Sequence, residues 1–291
     1  MKIIKPFSSF STTENIINVY TRLYNLKSGD NQGKKEIYGE TFIFTNEDNY
    51  THAFIHNTAM PALTIPKENV IGMSFEPIEY LNLTPAFVNY AKRHIGKYFI
   101  GSHADKLGKP FINHYGYLWH LTPIDYKPPK NKIASIMISI KQSAPGHIYR
   151  HHLAQHILKT NLPIDIWGNG CSVYKNVNDT RLKGKFEHLE PYNDYLFHIC
   201  IENFKKEHYF SEKITNTLLC STTPLYIGCS TIDTYFPDNI ITLSGNINED
   251  MALLTKICQE PFNYTKNIDY KQIINTISIE NVVNMFDSTS N

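Results

Sequence analysis

The run Phe197-His198-Ile199-Cys200-Ile201 is apolar and ends in Glu202-Asn203, and Ser211-Glu212-Lys213 opens the next helical stretch. A buried strand of this kind brings a carboxylate and an amide to its carboxyl end, where parallel α/β sheets bind their ligands. The first-turn N–H groups of the following helix favour an anion such as a diphosphate, and Lys213 adds a positive charge there. An ordinary loop with Ser211 as N-cap and a solvated Lys213 also accounts for the spacing, and on spacing alone it is the preferred reading. A second run, Val70-Ile71-Gly72-Met73-Ser74-Phe75, delivers Glu76 to a strand end, where Pro77 breaks the ladder; Glu79 follows at a helix start. Strand-end loops are where catalytic groups collect, but both carboxylates fit a plain surface loop as well. His147, His151 and His152 cluster without carboxylate or cysteine at ligand spacing, so no metal site is assigned to them. No Asp-x-Asp triplet occurs anywhere in the chain.

The elements that must carry these residues follow from periodicity. Ser11-Thr12-Thr13-Glu14 reads as a capping box opening a helix to about Leu23. Strands are expected over Glu40–Thr45, Thr51–His56 and Asn69–Phe75, a helix over Pro85–Gly96, and a short strand at Tyr98. The polar, proline-bearing stretch Ile124–Asn131 reads as a linker. After it the pattern restarts: a strand over Lys132–Ile140, a helix from about Tyr149 to Leu158, strands at Ile164–Trp167 and Tyr195–Ile201, a helix over Ser211–Cys220 and a strand over Thr223–Gly228. This alternation implies βαβ units and parallel sheets. The expected organisation is an N-terminal domain over 1–123, a linker over 124–131 and a C-terminal domain over 132–291 with a fraying tail. Asn57-Thr58-Ala59-Met60-Pro61 follows a strand and reads equally as a ligand-lining loop or a satisfied turn.

Glu202-Asn203, Tyr209-Phe210-Ser211-Glu212-Lys213, Thr222-Thr223-Pro224-Leu225-Tyr226-Ile227-Gly228 and Tyr235-Phe236-Pro237 occur in one order over about fifty residues. In order, spacing and residue type they resemble the signature of glycosyltransferase family 10, the α-1,3-fucosyltransferases. Phe204, Phe210 and Ser211 depart mildly from the family's usual residues. Upstream, Ile138-Ser139-Ile140-Lys141-Gln142-Ser143-Ala144-Pro145-Gly146-His147-Ile148-Tyr149-Arg150 is similar to the family's strand, Ser-containing loop and helix-borne arginine. The resemblance implies a GT-B fold, α/β, with two Rossmann-like domains facing a central cleft that closes over the donor. It implies an inverting transfer of L-fucose from GDP-fucose to a glycan hydroxyl. The family's general base maps best onto Glu76, with Glu79 as competitor. Arg150 and Lys213 match its diphosphate clamp; a solvated Arg150, or a share for His147, is the alternative. Asn203 and Tyr209 would orient the nucleotide sugar, and Glu202 or Glu212 would meet sugar hydroxyls. With no Asp-x-Asp pair to hold a cation, Arg150, Lys213 and a helix N-terminus would carry the leaving group's charge, so no metal and no cofactor is expected.

Composition narrows the alternatives. Hydrophobic residues at 42% against 19% charged describe a globular chain. A formal net charge of +1 argues against a nucleic-acid partner. No window reaches the ~18 apolar residues of a membrane span. Five scattered cysteines without a C-x-x-C pair suit buried thiols in a reducing compartment. A soluble cytoplasmic protein is expected, comparable to soluble bacterial or viral family members and, if viral, at work in a host's cytoplasm. The rival readings are transfer of another GDP-sugar such as rhamnose, and a catalytically silent nucleotide- or glycan-binding protein of the same fold.

Overall fold

A computed structural model describes residues 1–24, 27–31, 34–38, 42–116, 120–124 and 126–288. The chain divides into two compact units. The first takes in Met1–Pro123, Glu207–Tyr209 and the C-terminal stretch from Asn275; the second is Ile124–Lys206 with Phe210–Ile274.

The first unit contains β1 (Lys2–Ser8), α1 (Thr13–Tyr24), β2 (Lys27–Asn31), β3 (Lys34–Tyr38), β4 (Phe42–Phe44), β5 (His52–His56), β6 (Val70–Met73), α2 (Ile78–Leu81), α3 (Pro85–His94), β7 (Lys97–Ile100), α4 (Ala104–Leu107) and β8 (Phe111–Asn113). Among the described residues its sheet runs β2-β3-β4-β1-β5-β6-β7-β8. The β2–β3 and β3–β4 pairs are antiparallel, and the rest, from β4 through β8, are parallel. Strand residues alternate between two cores. Ile4, Phe54, Ile71 and Phe99 pack with Ile16, Ile17 and Tyr20 of α1; Ala53, Ile55, Val70 and Tyr98 pack with Phe87 and Tyr90 of α3. Burial on both faces is what a parallel sheet requires.

Several expectations shift here. Thr12 rather than Ser11 caps α1, because the Asn15 N–H donates to Thr12 Oγ1 at 3.2 Å. Strand β1 was not expected, since Lys2, Lys5 and Pro6 interrupt its apolar run. Of the expected strand at 40–45, Glu40 and Thr41 lie outside the described residues, as does Asp125 of the expected linker.

The second unit contains β9 (Lys132–Met137), α5 (Pro145–Leu158), β10 (Ile164–Trp167), β11 (Leu182–Gly184), β12 (Tyr195–Ile201), α6 (Glu212–Leu219), β13 (Thr223–Ile227), β14 (Ile241–Thr242) and α7 (Ile247–Gln259). Its sheet runs β11-β10-β9-β12-β13-β14, every pair parallel. Ile136, Phe197, Ile199 and Leu225 meet Leu153 and Ile157 of α5 and Leu254 of α7 in one core. Helix α5 begins four residues before the expected Tyr149, because Pro145 occupies its first turn, where a missing N–H costs nothing. Lys130, in the expected linker, is anchored: its ammonium donates to Asn193 O at 2.8 Å, Cys220 O at 2.7 Å and Thr222 Oγ1 at 2.8 Å.

Two further helices, α8 (Tyr270–Ile277) and α9 (Ile279–Asn284), close the chain. The C-terminal part of the expected second domain is thereby reassigned: Ile279, Val282 and Val283 of α9 belong to the same core as Ile4 and Phe42 in the first unit.

Candidate functional site

In the second unit the chain winds outward from β9 to β10 and β11 on one side, and from β12 to β13 and β14 on the other. The order therefore reverses between β9 and β12, and the crevice at their carboxyl ends is the expected ligand position. A cavity of about 380 Å³ opens there. Its wall includes Ser139 and Lys141 from the loop after β9, His147 and Arg150 of α5, Asn203 at the end of β12 and Lys213 of α6. Gly168, Asn169 and Phe186 contribute from the segments after β10 and β11.

Close backbone packing brings α5 to this place. A Cβ at Gly146 would lie 1.8 Å from Glu202 O, so only glycine lets α5 pass so near the end of β12. The Gly146 N–H donates to Asn203 O at 3.0 Å. Ala144 carries no side-chain oxygen to cap the helix; His147 Nδ1 instead accepts the Ala144 N–H at 3.2 Å. The positive end of a fourteen-residue helix thus lies beside the cavity.

Arg150 is almost fully buried, with 6% of its surface exposed. Its Nε donates to Gly146 O at 3.1 Å and its Nη2 to Asn203 Oδ1 at 2.6 Å, which fixes the guanidinium plane at the cavity wall. On the other side Ser211 caps α6. Glu202, buried beneath it, accepts the Ser211 N–H at 2.9 Å and its hydroxyl at 2.7 Å. The Lys213 ammonium donates to Ser211 Oγ at 2.8 Å and pairs with Glu202 Oε2 at 3.4 Å and Glu212 Oε1 at 3.3 Å. Burial works against the Lys213 charge, yet Glu212 and Glu202 hold the ammonium above the ordinary lysine range. Burial likewise opposes the Glu212 charge, but the Lys213 charge together with hydrogen bonds from its own backbone, Lys213 and Ser211 keeps the carboxyl below its ordinary value. Burial, with Arg150, Lys141 and Lys213 nearby, lowers the His147 imidazole to about 4, so it is neutral at pH 7. Among the described residues the cavity wall therefore presents the cations Lys141, Arg150 and Lys213 against the single carboxylate Glu212. Such a lining suits a ligand carrying two or more negative charges.

The expected site residues separate into groups. Arg150, Asn203, Glu212 and Lys213 converge on the cavity. Glu202 is not among its lining residues; both of its oxygens serve Ser211, so it braces the start of α6. Tyr209 does not line the cavity either. It groups with the first unit, where its Cβ would lie 3.0 Å from a Cβ at Gly101. Lys141, Asn169 and Phe186 were not assigned roles from the sequence; only the topology brings their short loops to the switch point. Ser139 Oγ is buried without a hydrogen-bond partner. His151 is committed to the fold through Ser139 O at 2.7 Å and the Tyr174 hydroxyl at 2.9 Å.

In the first unit, Glu76 is exposed on the bend that leaves β6, and Glu79 is exposed in the first turn of α2. The bend is stitched to the end of β5: the Phe75 N–H donates to Asn57 Oδ1 at 2.8 Å and the Asn57 N–H to Met73 O at 2.9 Å. Asn57 adopts φ 53°, which asparagine tolerates, and its carbonyl accepts the Tyr98 hydroxyl at 2.8 Å. Asn57 is thus a satisfied turn residue that sets the backbone before Glu76. Among the described residues, no group of three or more His, Cys, Asp or Glu is arranged to hold a metal ion, and no helix is long and apolar enough to cross a membrane.

The model of glycosyltransferase family 10 (fucosyltransferase), C-terminal part, matches residues 127–280, more than half of the chain, and the chain belongs to that family. A fucosyltransferase-like protein of Arabidopsis thaliana is 26% identical over 155 residues, which are 52% of this chain and 28% of that protein; the chain matches less than a third of that relative's length. An α1,3-fucosyltransferase of known structure is similar across 99% of this chain and 91% of its own, with a TM-score of 0.52 at 14% identity, and has also been solved with GDP and with GDP-fucose. The Anabaena protein Alr3699/HepE, solved with UDP, covers 99% of this chain and 100% of its own with a TM-score of 0.60 at 11% identity. The fold is the α/β GT-B class that these glycosyltransferases share.

Proposed function

We propose that this family 10 member transfers L-fucose from GDP-fucose to a hydroxyl of a glycan, with inversion at the anomeric carbon and without a metal ion. The observation that carries the reading is the cavity at the switch point of the second unit, where Lys141, Arg150 and Lys213 stand beside the N-termini of α5 and α6. A nucleoside diphosphate is the ligand such a place favours. Membership of family 10 and the GDP-fucose complex of a structurally similar α1,3-fucosyltransferase support the identity of base and sugar.

In this reaction Glu76 takes the proton of the acceptor hydroxyl as its oxygen attacks the anomeric carbon. The bond from that carbon to the diphosphate oxygen breaks, the ring passes through an oxocarbenium-like state, and its electron pair leaves with GDP. Arg150 and Lys213 are charged in ground and transition states alike and stabilise the departing diphosphate without reorganising. Asn203 acts through Arg150, whose guanidinium it orients. Glu212, in the cavity wall, meets sugar hydroxyls.

A thermal-shift series tests the reading. GDP and GDP-fucose should raise the melting temperature by mass action, by the equivalent of ~2.7 kcal/mol at a hundred times Kd. UDP and UDP-glucose should leave it unchanged. Stabilisation by UDP-glucose equal to that by GDP-fucose would remove the fucosyl assignment.

A further inference from the structure

In the first unit the amino ends of β6, β7 and β8 lie side by side, at the edge of the sheet opposite to the bend that carries Glu76. Chain position alone brings three lysines to that edge. Lys67 opens the turn before β6, Lys97 is the first residue of β7, and Lys109 precedes β8 by two residues. Lys92 joins them from the last turn of α3, which leads into β7. Gly96 locks the turn to the strand. Its N–H donates to Val70 O at 3.0 Å, and a Cβ there would lie 2.6 Å from Lys67 O, so only glycine admits the approach. All four lysines line one cavity of about 740 Å³, nearly twice the volume of the cavity in the second unit. Phe99, Ile112 and Met285 give it an apolar wall.

The charge in this cavity is unbalanced. The Lys97 ammonium is already engaged, donating to Met285 O at 2.6 Å and to Ser288 O. Lys67, Lys92 and Lys109 are exposed, and among the described residues their side chains form no ion pair. Asp105 is the one carboxylate in the described wall. Three free ammonium groups against one carboxylate leave at least two positive charges for a ligand. Like charges gathered over a concave, partly apolar wall repel one another and concentrate anions there.

We propose that this cavity binds a phosphate monoester of a small organic molecule. Such a group carries about −1.5 to −2 charges near pH 7, which matches the excess. Lysine is a compact point charge that suits phosphate oxygens, whereas a planar carboxylate is matched best by the fork of an arginine, and among the described residues no arginine lines the cavity. The volume falls in the range of small-molecule sites, and the apolar wall receives the organic part. A concavity, unlike a flat face, favours a soluble ligand over a bilayer surface.

Amine labelling read by peptide mass spectrometry tests this one lysine at a time and needs neither donor nor turnover. The full chain would be labelled alone, and with increasing phenyl phosphate, inorganic phosphate or phosphatidic acid vesicles. Phenyl phosphate should slow the labelling of Lys67, Lys92 and Lys109 saturably and leave exposed Lys175 of the second unit unchanged. Inorganic phosphate should need a higher concentration for the same effect, because it has no ring to bury. In Lys109→Ala, half-protection of Lys67 and Lys92 should need about 10-fold more phenyl phosphate, the loss of one charge-assisted contact. Lys141, in the cavity of the second unit, should respond alike in wild type and variant. The proposal is overturned if phenyl phosphate protects none of the three lysines, if inorganic phosphate protects them equally well, or if only the vesicles protect them. An unchanged midpoint in Lys109→Ala, or a midpoint for Lys141 that shifts with it, overturns the proposal as well.

Discussion

Replacing Lys213 by alanine separates its pairing with buried Glu202 from the donor contact proposed for it. Its side chain is 15% exposed and sits 3.4 Å from Glu202, whose side chain is fully buried. Removing one member of a buried pair typically costs about 3–5 kcal/mol. Glu202 keeps the Ser211 N–H and hydroxyl, so the lower end applies, about 3 kcal/mol. For a unit of this size that is a drop of roughly 6–12 °C in melting temperature. The second is the donor contact. Loss of a charge-assisted contact to the diphosphate should weaken GDP by ~1.5–3 kcal/mol, or about 10–150-fold in Kd. Calorimetric titration with GDP, run well below the lowered melting temperature, measures the second effect independently of the first. Lys213→Ala/Glu202→Gln should regain part of the stability, since no unpaired buried charge remains, while GDP affinity stays low. If Lys213→Ala loses stability but binds GDP like the wild type, Lys213 is only the counter-ion of Glu202, and the clamp assignment is refuted.

Glu76→Gln should lower turnover by roughly 10²–10⁴-fold, the usual worth of a general base, with GDP affinity nearly unchanged, while Glu79→Gln remains largely active; steady-state kinetics of both variants, if they show the reverse, move the base three residues along. Turnover should survive EDTA, because Arg150, Lys141 and Lys213 supply the countercharge; complete loss restored by manganese contradicts this. Acid should destabilise each unit separately. Burial lowers His56 of the first unit and His198 of the second to about 3, so between the ordinary histidine value near 6.5 and pH 3 the unfolded chain binds protons that the native one does not. That contribution to stability is constant above pH 7 and shrinks as pH falls, by about 2 kcal/mol per histidine at pH 5. Urea unfolding at pH 7.5 and pH 5 measures it, and a His198→Gln variant whose second unit keeps the full pH slope would show that His198 is not its source.

The elements at the centre of each sheet were legible because they are doubly buried and therefore continuously apolar. Tyr195–Ile201 and His52–His56 lie where that pattern puts them. The edges were not. Strands β2 and β3 read Lys-Ser-Gly-Asp-Asn and Lys-Lys-Glu-Ile-Tyr, with no alternation to mark them. Strand β1 was hidden by Pro6, although it lies inside the sheet. Its ladder with β4 covers only Lys2–Ile4, which leaves Pro6 a side on which a missing N–H costs little. The return of α9 to the first unit is a long-range packing choice that no local signal announces. At the site, Arg150, Asn203, Glu212 and Lys213 were reached through their resemblance to family 10, and the structure gathers them round one cavity. The loops that add Lys141, Asn169 and Phe186 carry no motif. They become part of the wall because β9 and β10 end beside each other in a parallel sheet. Glu202 shows the opposite failure. Its position in the signature suggested a sugar contact, but a carboxylate at the last step of a buried strand finds its donors in the helix that follows.

The transfer reaction itself tests the central claim most directly. The purified chain, GDP-fucose and a panel of neutral oligosaccharides would be incubated in EDTA, and the products followed by mass spectrometry and by NMR of the new anomeric centre. The account predicts one fucosyl residue added to an oligosaccharide, GDP released in equal amount, and an anomeric configuration opposite to that of the donor. A product that retains the donor's configuration, or glucosyl transfer from UDP-glucose with GDP-fucose left intact, would contradict it.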